Sequence, residues 1–416
     1  MNFKQKAYNL LRWSQKYTRT DMVYMAKGGF WLGLEQMIFS VTGFLLAIAF
    51  ANLLPKETYG IYRYVLSLAT ILSIPTLIGM NEALILSIAK GSEGSINTAI
   101  KTRLRWGFLG GVASVGVAGY YFINGNITLT MAFLIVAIFI SPFEAFKIYR
   151  AIWIGKKLFK YFTIFSASIQ ILSVAALATT LFLTDNIFFL FLTYFGSFTV
   201  LHFTALKLTL KQASLNSKQD PQTIPYGKHL SLMSTLGVVT KNLDQVLIWY
   251  FLGAVSVAVY YFAIIGPQQI ISFSKIIASL ALPKFSRTIP SPELKISVLK
   301  KTFALLLLSL VLVTVYIVFS PIFYKLILPQ YLDSLPYSQV FSLSIVFLVP
   351  QILLQAFFTS LMKIKALYLF TSTSYTLRII LPLFLLPFYG IWGAIWAALI
   401  ANVLTFLLLF FLVRRS

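Results

Sequence analysis

A chain of 416 residues that is 59% hydrophobic, 16% aromatic and only 11% charged carries more apolar surface than a soluble core could hide, so its solvent is lipid. The formal net charge of +23 invites a nucleic-acid partner, but the basic residues are dispersed over alternate short loops rather than gathered on one face with base-stacking aromatics, which excludes it. Cysteine is absent, which excludes disulfides, thiolate metal sites and a cysteine nucleophile.

Residues 1–27 form a basic stretch that also carries Phe3, Leu10, Leu11, Trp13 and Tyr17, read as a cytoplasmic arm or interfacial helix without a cleavable signal. Apolar runs then recur at the length a helix needs to cross about 30 Å of hydrocarbon. The first six lie near 28–52, 60–88, 105–123, 127–149, 161–183 and 187–207, and make an N-terminal lobe over 28–210. The most polar stretch, KQASLNSKQDPQTIPYGKH from Lys211 to His229, places a cytoplasmic linker at 211–228. A C-terminal lobe over 229–416 follows, with spans near 229–253, 257–282, 300–320, 338–360, 366–387 and 390–413. The fold class expected is therefore an all-α membrane protein of about twelve transmembrane helices in two six-helix lobes.

With both termini in the cytoplasm, the 34 Lys and Arg all fall on cytoplasmic segments except Lys56, Arg63 and Lys325 outside, and Lys241, Lys275 and Arg378 within helices. That is the positive-inside pattern of a multi-pass protein of the inner or plasma membrane. Trp31, Trp106 and Trp153 near the inner boundary, and Trp249, Trp392 and Trp396 near the outer one, read as interfacial anchors.

The two halves repeat. Leu54, Thr58 and Tyr62 align with Leu252, Ser256 and Tyr260, and Pro142, Lys157, Phe162, Thr163 and Ser166 align with Pro350, Lys365, Phe370, Thr371 and Ser374. Each half has an even number of spans, so both enter from one side, and a pseudo-twofold axis along the membrane normal is expected. Pro75, Pro142, Pro267, Pro350 and Pro382 are places where helices bend.

Ionisable groups inside a span cost at least a few kcal/mol each, so they face a cavity or one another. Lys241 and Asp244 share a face at i, i+3, and either pair with each other or leave Lys241 for an anion while Asp244 holds it or binds a coupling cation. Arg378, at mid-depth, calls for an anionic partner. Lys275 lies nearer the inner surface and either snorkels or meets substrate. Glu35 and Glu144 are gating candidates through Lys147 or Arg150, and Glu82 carries no assignment. His202 and His229 read as interfacial residues, with no metal expected. Walker A, paired-His zinc, Asp-x-Asp and nucleophile-elbow motifs are all missing, so no enzyme is expected.

Two segments, GLEQMIFSVTGFLLAIAFANLLPKETYGIYRYVLSLATI from Gly33 and KNLDQVLIWYFLGAVSVAVYYFAIIGPQQIISFSKIIASLALPKFSR from Lys241, resemble the lobe openings of O-antigen-type (Wzx-like) polysaccharide flippases. These belong to the superfamily that also holds lipid II flippases and multidrug and toxin extruders. The resemblance implies a MATE-like two-lobe fold and a flippase that moves undecaprenyl-pyrophosphate-linked oligosaccharide from the inner to the outer leaflet. It implies alternating access through a cationic central cavity. It makes Lys241, Asn242, Asp244 and Gln245 functional positions, the first two and Gln245 for substrate and Asp244 for coupling, while Arg378 and Lys275 as substrate contacts and Glu35 and Glu144 in coupling or gating rest on their positions in the spans alone. No cofactor is expected beyond a coupling proton or sodium ion. The expected partners are the lipid-linked oligosaccharide, membrane lipids and polysaccharide polymerase or assembly proteins. The alternative on the same fold is a cation-coupled antiporter of drugs or other small molecules.

Overall fold

In lipid every backbone N–H and C=O must find its partner within the protein, which leaves long apolar segments the helix as their solution. In the computed structural model, residues 22–285 and 292–415 are described, with side chains for 27–272, 274 and 295–414, and they fold as helices without a strand. Most of the arm at 1–27 and the side chain of Lys275 lie outside the described residues.

The helices in chain order are α1 (Met22–Leu53), α2 (Lys56–Leu72), α3 (Met80–Ala89), α4 (Ser95–Ile123), α5 (Ile127–Ala145), α6 (Tyr149–Gly155), α7 (Phe159–Leu183) and α8 (Ile187–Gln212). They continue with α9 (Thr223–Phe285), α10 (Pro292–Ile327), α11 (Leu335–Ser342), α12 (Ser344–Ser360), α13 (Ile364–Tyr389) and α14 (Ile391–Arg415). Among the described residues nine helical stretches are long and apolar enough to span, and two bent pairs, α2 with α3 and α11 with α12, raise this to 11.

The twelfth span is inside α9. If α9 were straight, its 1.5 Å rise would hold Asp244 and Tyr260 about 24 Å apart. Instead the Tyr260 hydroxyl donates to Asp244 Oδ2 at 3.0 Å, so the chain reverses between them, at Gly253 (φ 80°, ψ −175°). That conformation is essentially reserved for glycine. A Cβ at Gly253 would meet nothing within 4 Å, so Gly253→Ala isolates the backbone cost. It is expected to lower the melting temperature in detergent by an amount equivalent to about 1–3 kcal/mol. Gly119→Ala, also in open space but inside α4, is expected to leave it unchanged or raise it.

Two compact units form, and their limits differ from the expected lobes. The described residues to Ala49 join Leu72–Thr235, while Phe50–Ile71 joins the chain from Leu236 onward. The physical reason is the packing of 50–71 inside the second unit. Lys56 pairs with Asp333 at 2.6 Å, Asn52 donates to the Ile327 carbonyl, Tyr64 stacks on Trp249 at 4.3 Å, and Tyr59 packs against Tyr261 and Phe262. Gly60 is needed there, since a Cβ would fall 1.8 Å from the Ala254 carbonyl oxygen.

The expected linker is built into the first unit. Glu93 accepts from the Asn216 N–H at 2.7 Å and pairs with Lys156 at 2.7 Å, Gly94 N–H donates to the Lys218 carbonyl at 2.8 Å, and Ser95 Oγ accepts from Asp220 N–H. Leu84, Ile88, Ile152, Trp153, Phe162 and Leu206 belong to the core beside it. Trp153, expected as an anchor, is 2% exposed, and its indole N–H donates to Thr209 Oγ1.

The internal repeat is visible in backbone geometry. After α6, Lys157 is left-handed (φ 61°) and Leu158 N–H closes the helix onto the Trp153 carbonyl. After α12, Met362 is left-handed (φ 51°) and Lys363 N–H does the same onto the Phe358 carbonyl. Lys157 therefore corresponds to Met362 rather than Lys365. The slip of three residues nearly preserves the helical face, which is why the sequence pattern tolerates it.

Candidate functional site

In the second unit a band of polar groups runs along the first arm of α9, α13 and α14. Lys241 and Asp244 lie one turn apart on α9, and Tyr375 and Arg378 lie one turn apart on α13. The two helices approach closely at Gly237, where a Cβ would stand 2.8 Å from the Tyr375 hydroxyl. Arg378 Nη2 donates to Asn402 Oδ1 on α14 at 2.6 Å, and Thr405, one turn further, donates to Gln351 Oε1 on α12 at 3.2 Å.

Of the two alternatives for Lys241 and Asp244, the mutual pair is not formed. Asp244 accepts from Tyr260 and lies within electrostatic range of Arg378, whereas Lys241 is exposed and makes no ion pair among the described residues. The reversal at Gly253 supplies Asp244 with a hydroxyl that i, i+3 spacing could not reveal. Arg378 also makes no ion pair among the described residues, so a half-buried guanidinium with five N–H donors rests on one neutral amide. Asn242 Nδ2 is spent on the Val238 carbonyl of its own helix at 2.9 Å, and Gln245 Oε1 accepts from the Ser67 hydroxyl at 2.9 Å in a buried contact.

Glu35 and Glu144 lie in the first unit and bind partners of that same unit. Glu35 Oε1 pairs with Arg150 Nη2 at 3.2 Å, and Glu144 Oε1 pairs with Lys147 Nζ at 2.5 Å. Arg103, assigned by sequence to a cytoplasmic loop, is instead 0% exposed inside α4. Its Nε donates to the Thr76 carbonyl and its Nη1 to Asn81 Oδ1, where α2 gives way to α3 through a left-handed Leu77, and its Nη2 lies 3.5 Å from Glu144. The signal was present, since Arg103 falls on the stripe Ala99, Gly107, Gly111, Ser114 that α4 buries. His202 is likewise buried rather than interfacial, with its ring against Phe143, Tyr149 and Phe198.

Residues 25–289 match the family model described as polysaccharide biosynthesis protein. The chain belongs to that family. No curated protein sequence matches it. This polysaccharide biosynthesis protein shares its fold with solved transporters. They include lipid II flippase MurJ in an inward closed conformation (13% identity, 94% of this chain and 87% of that one, TM-score 0.67). A multidrug resistance MATE family transporter of the MOP superfamily, inward-facing, gives 11% identity over 93% of this chain and 97% of that one, at a TM-score of 0.66. A MOP superfamily transporter from Pyrococcus furiosus gives 13% identity over 93% and 96%, at 0.59.

Within the polysaccharide biosynthesis protein the family match covers Lys241, Asn242, Asp244 and Gln245 and stops short of Arg378 and Asn402. The two mid-span cations therefore rest on different footings. Lys241 belongs to the family segment, and Arg378 is found by its depth and by having no carboxylate at contact distance among the described residues.

Proposed function

We propose that this protein is a flippase that carries an oligosaccharide linked through pyrophosphate to undecaprenol from the inner to the outer leaflet by alternating access. The observation that carries the reading is the presence of Lys241 and Arg378 inside spans of the second unit, neither ion-paired among the described residues, in a polysaccharide biosynthesis family member. A diphosphate cannot enter hydrocarbon unaided, and cationic donors replace part of its lost hydration. The positive-inside distribution supports a cell-membrane protein with both termini on the cytoplasmic side. With the inside negative, outward movement of the anion is downhill by about 2.3 kcal/mol per charge per 100 mV.

Coupling to a proton or sodium ion, where it adds to this, falls to Asp244, because Glu35 is already held by Arg150. Asp244 is also the observation that favours the second reading, a cation-coupled antiporter of small molecules. Reconstitution of the full chain in liposomes containing a fluorescent undecaprenyl-pyrophosphate glycan separates the two. Acceleration of its exchange between leaflets, biased by an imposed potential, is the expected result. Exchange no faster than in empty liposomes, together with cation-driven efflux of an organic dye, would establish the antiporter instead.

A further inference from the structure

At contact distance the first unit sets three cations against two carboxylates. Glu144 on α5 is shared between Lys147 (2.5 Å) and Arg103 (3.5 Å), and Glu35 on α1 holds Arg150 (3.2 Å). Glu82, exposed on α3, acts on Arg103 without touching it, and His202 lies in range of Lys147 and Arg150 without adding negative charge. Inside this cluster Arg103 Nη2 has no hydrogen-bond partner although the residue is 0% exposed, and buried His202 Nδ1 has none either. A charge surplus with an unsatisfied guanidinium N–H is costly in a membrane unless an anion completes it.

The backbone points the same way. Between α5 and α6 the helix tightens into a 3-10 turn, Phe146–Ile148, four residues beyond Pro142, and this turn carries Lys147 and precedes Arg150. Irregular backbone at membrane depth is kept where it is buried in protein or lines a cavity. Unlike Arg103, the Lys147 and Arg150 side chains are 24% and 34% exposed, so a ligand can reach them.

We infer that Lys147 and Arg150 form a binding site for a phosphate-bearing anion, with Glu144 occupying Lys147 until the anion arrives and Arg103 retaining Glu144 afterwards. Lys147 is the cation that the cluster can release, because Arg103 and Arg150 suffice for the two carboxylates. The natural ligand, the pyrophosphate headgroup of the carrier lipid, rests on the flippase reading; the site itself requires only the phosphate chemistry.

The test is binding to the full chain in phosphatidylcholine nanodiscs, with undecaprenyl pyrophosphate in the disc as one probe and inorganic pyrophosphate in solution as the other. Lys147→Gln is expected to weaken binding at least tenfold, Lys147→Arg to retain it, and Glu144→Gln, which removes the competitor, to tighten it several-fold. Binding of the lipid alone identifies a carrier headgroup site, and equal binding of both probes a site for the phosphates themselves. A purely structural ion pair would make Glu144→Gln and Lys147→Gln weaken binding alike, and that result overturns the inference, as does absence of binding of both probes by the wild type. If Glu144→Gln does not fold, the contrast of Lys147→Gln with Lys147→Arg decides, and equal loss in both is the contrary outcome. Failure of the flippase reading shows up elsewhere, as unaltered glycan transport, and leaves these binding responses in place.

Discussion

Arg378→Ala is expected to lower export of polysaccharide roughly ten- to a hundredfold while leaving the protein folded and in the membrane. Its guanidinium sits within the span formed by α13, half-buried, with one bond to Asn402 and no ion pair among the described residues. A charge kept at that depth without a carboxylate in contact is costly, and under the proposed flippase reading an anionic cargo offsets that cost. Each charge-assisted hydrogen bond lost to a phosphate costs about 1.5–3 kcal/mol, which sets the fall in transport at roughly ten- to a hundredfold. Arg378→Lys keeps the charge but loses the planar fork, so partial activity is expected. Measured as surface polysaccharide at matched membrane protein levels, wild-type export by Arg378→Ala would remove Arg378 from the transport path.

Arg103→Met is expected to be the most destabilising single substitution of a charged residue in the first unit. It takes donors away from the Thr76 carbonyl and Asn81, at the break between α2 and α3, and leaves Glu144 with Lys147 alone. Breaking a buried charge network by removing one partner costs about 3 kcal/mol or more. Arg105→Met, two residues along the same helix but exposed, is expected to change stability by no more than about 0.5 kcal/mol. Thermal unfolding of the two variants in detergent gives the comparison, and similar melting temperatures would show that the Arg103 network contributes nothing to the fold.

These two residues also mark what the sequence made legible. Hydropathy runs found the spans, including the pair fused in α9, because length and apolarity are dictated by the bilayer. Depth alone singled out Arg378, Lys241 and Asp244. Partners were another matter. The i, i+3 spacing suggested Lys241 for Asp244, but Tyr260, brought back by the reversal at Gly253, makes the bond. Arg103 was hidden by its position close to other basic residues of a cytoplasmic segment, although it shares a helical face with Gly107 and Gly111. The grouping of 50–71 with the C-terminal half was equally invisible, since it depends on Tyr59, Gly60 and Tyr64 meeting aromatic and backbone surfaces far along the chain.

The most direct measurement deletes the gene in its host and quantifies lipid-linked oligosaccharide inside the cell alongside polysaccharide at the surface. Accumulation of the first with loss of the second, restored by the wild-type gene but by neither Lys241→Ala nor Arg378→Ala, is the predicted result. Unchanged levels of both would contradict the flippase assignment and turn attention to cation-coupled efflux.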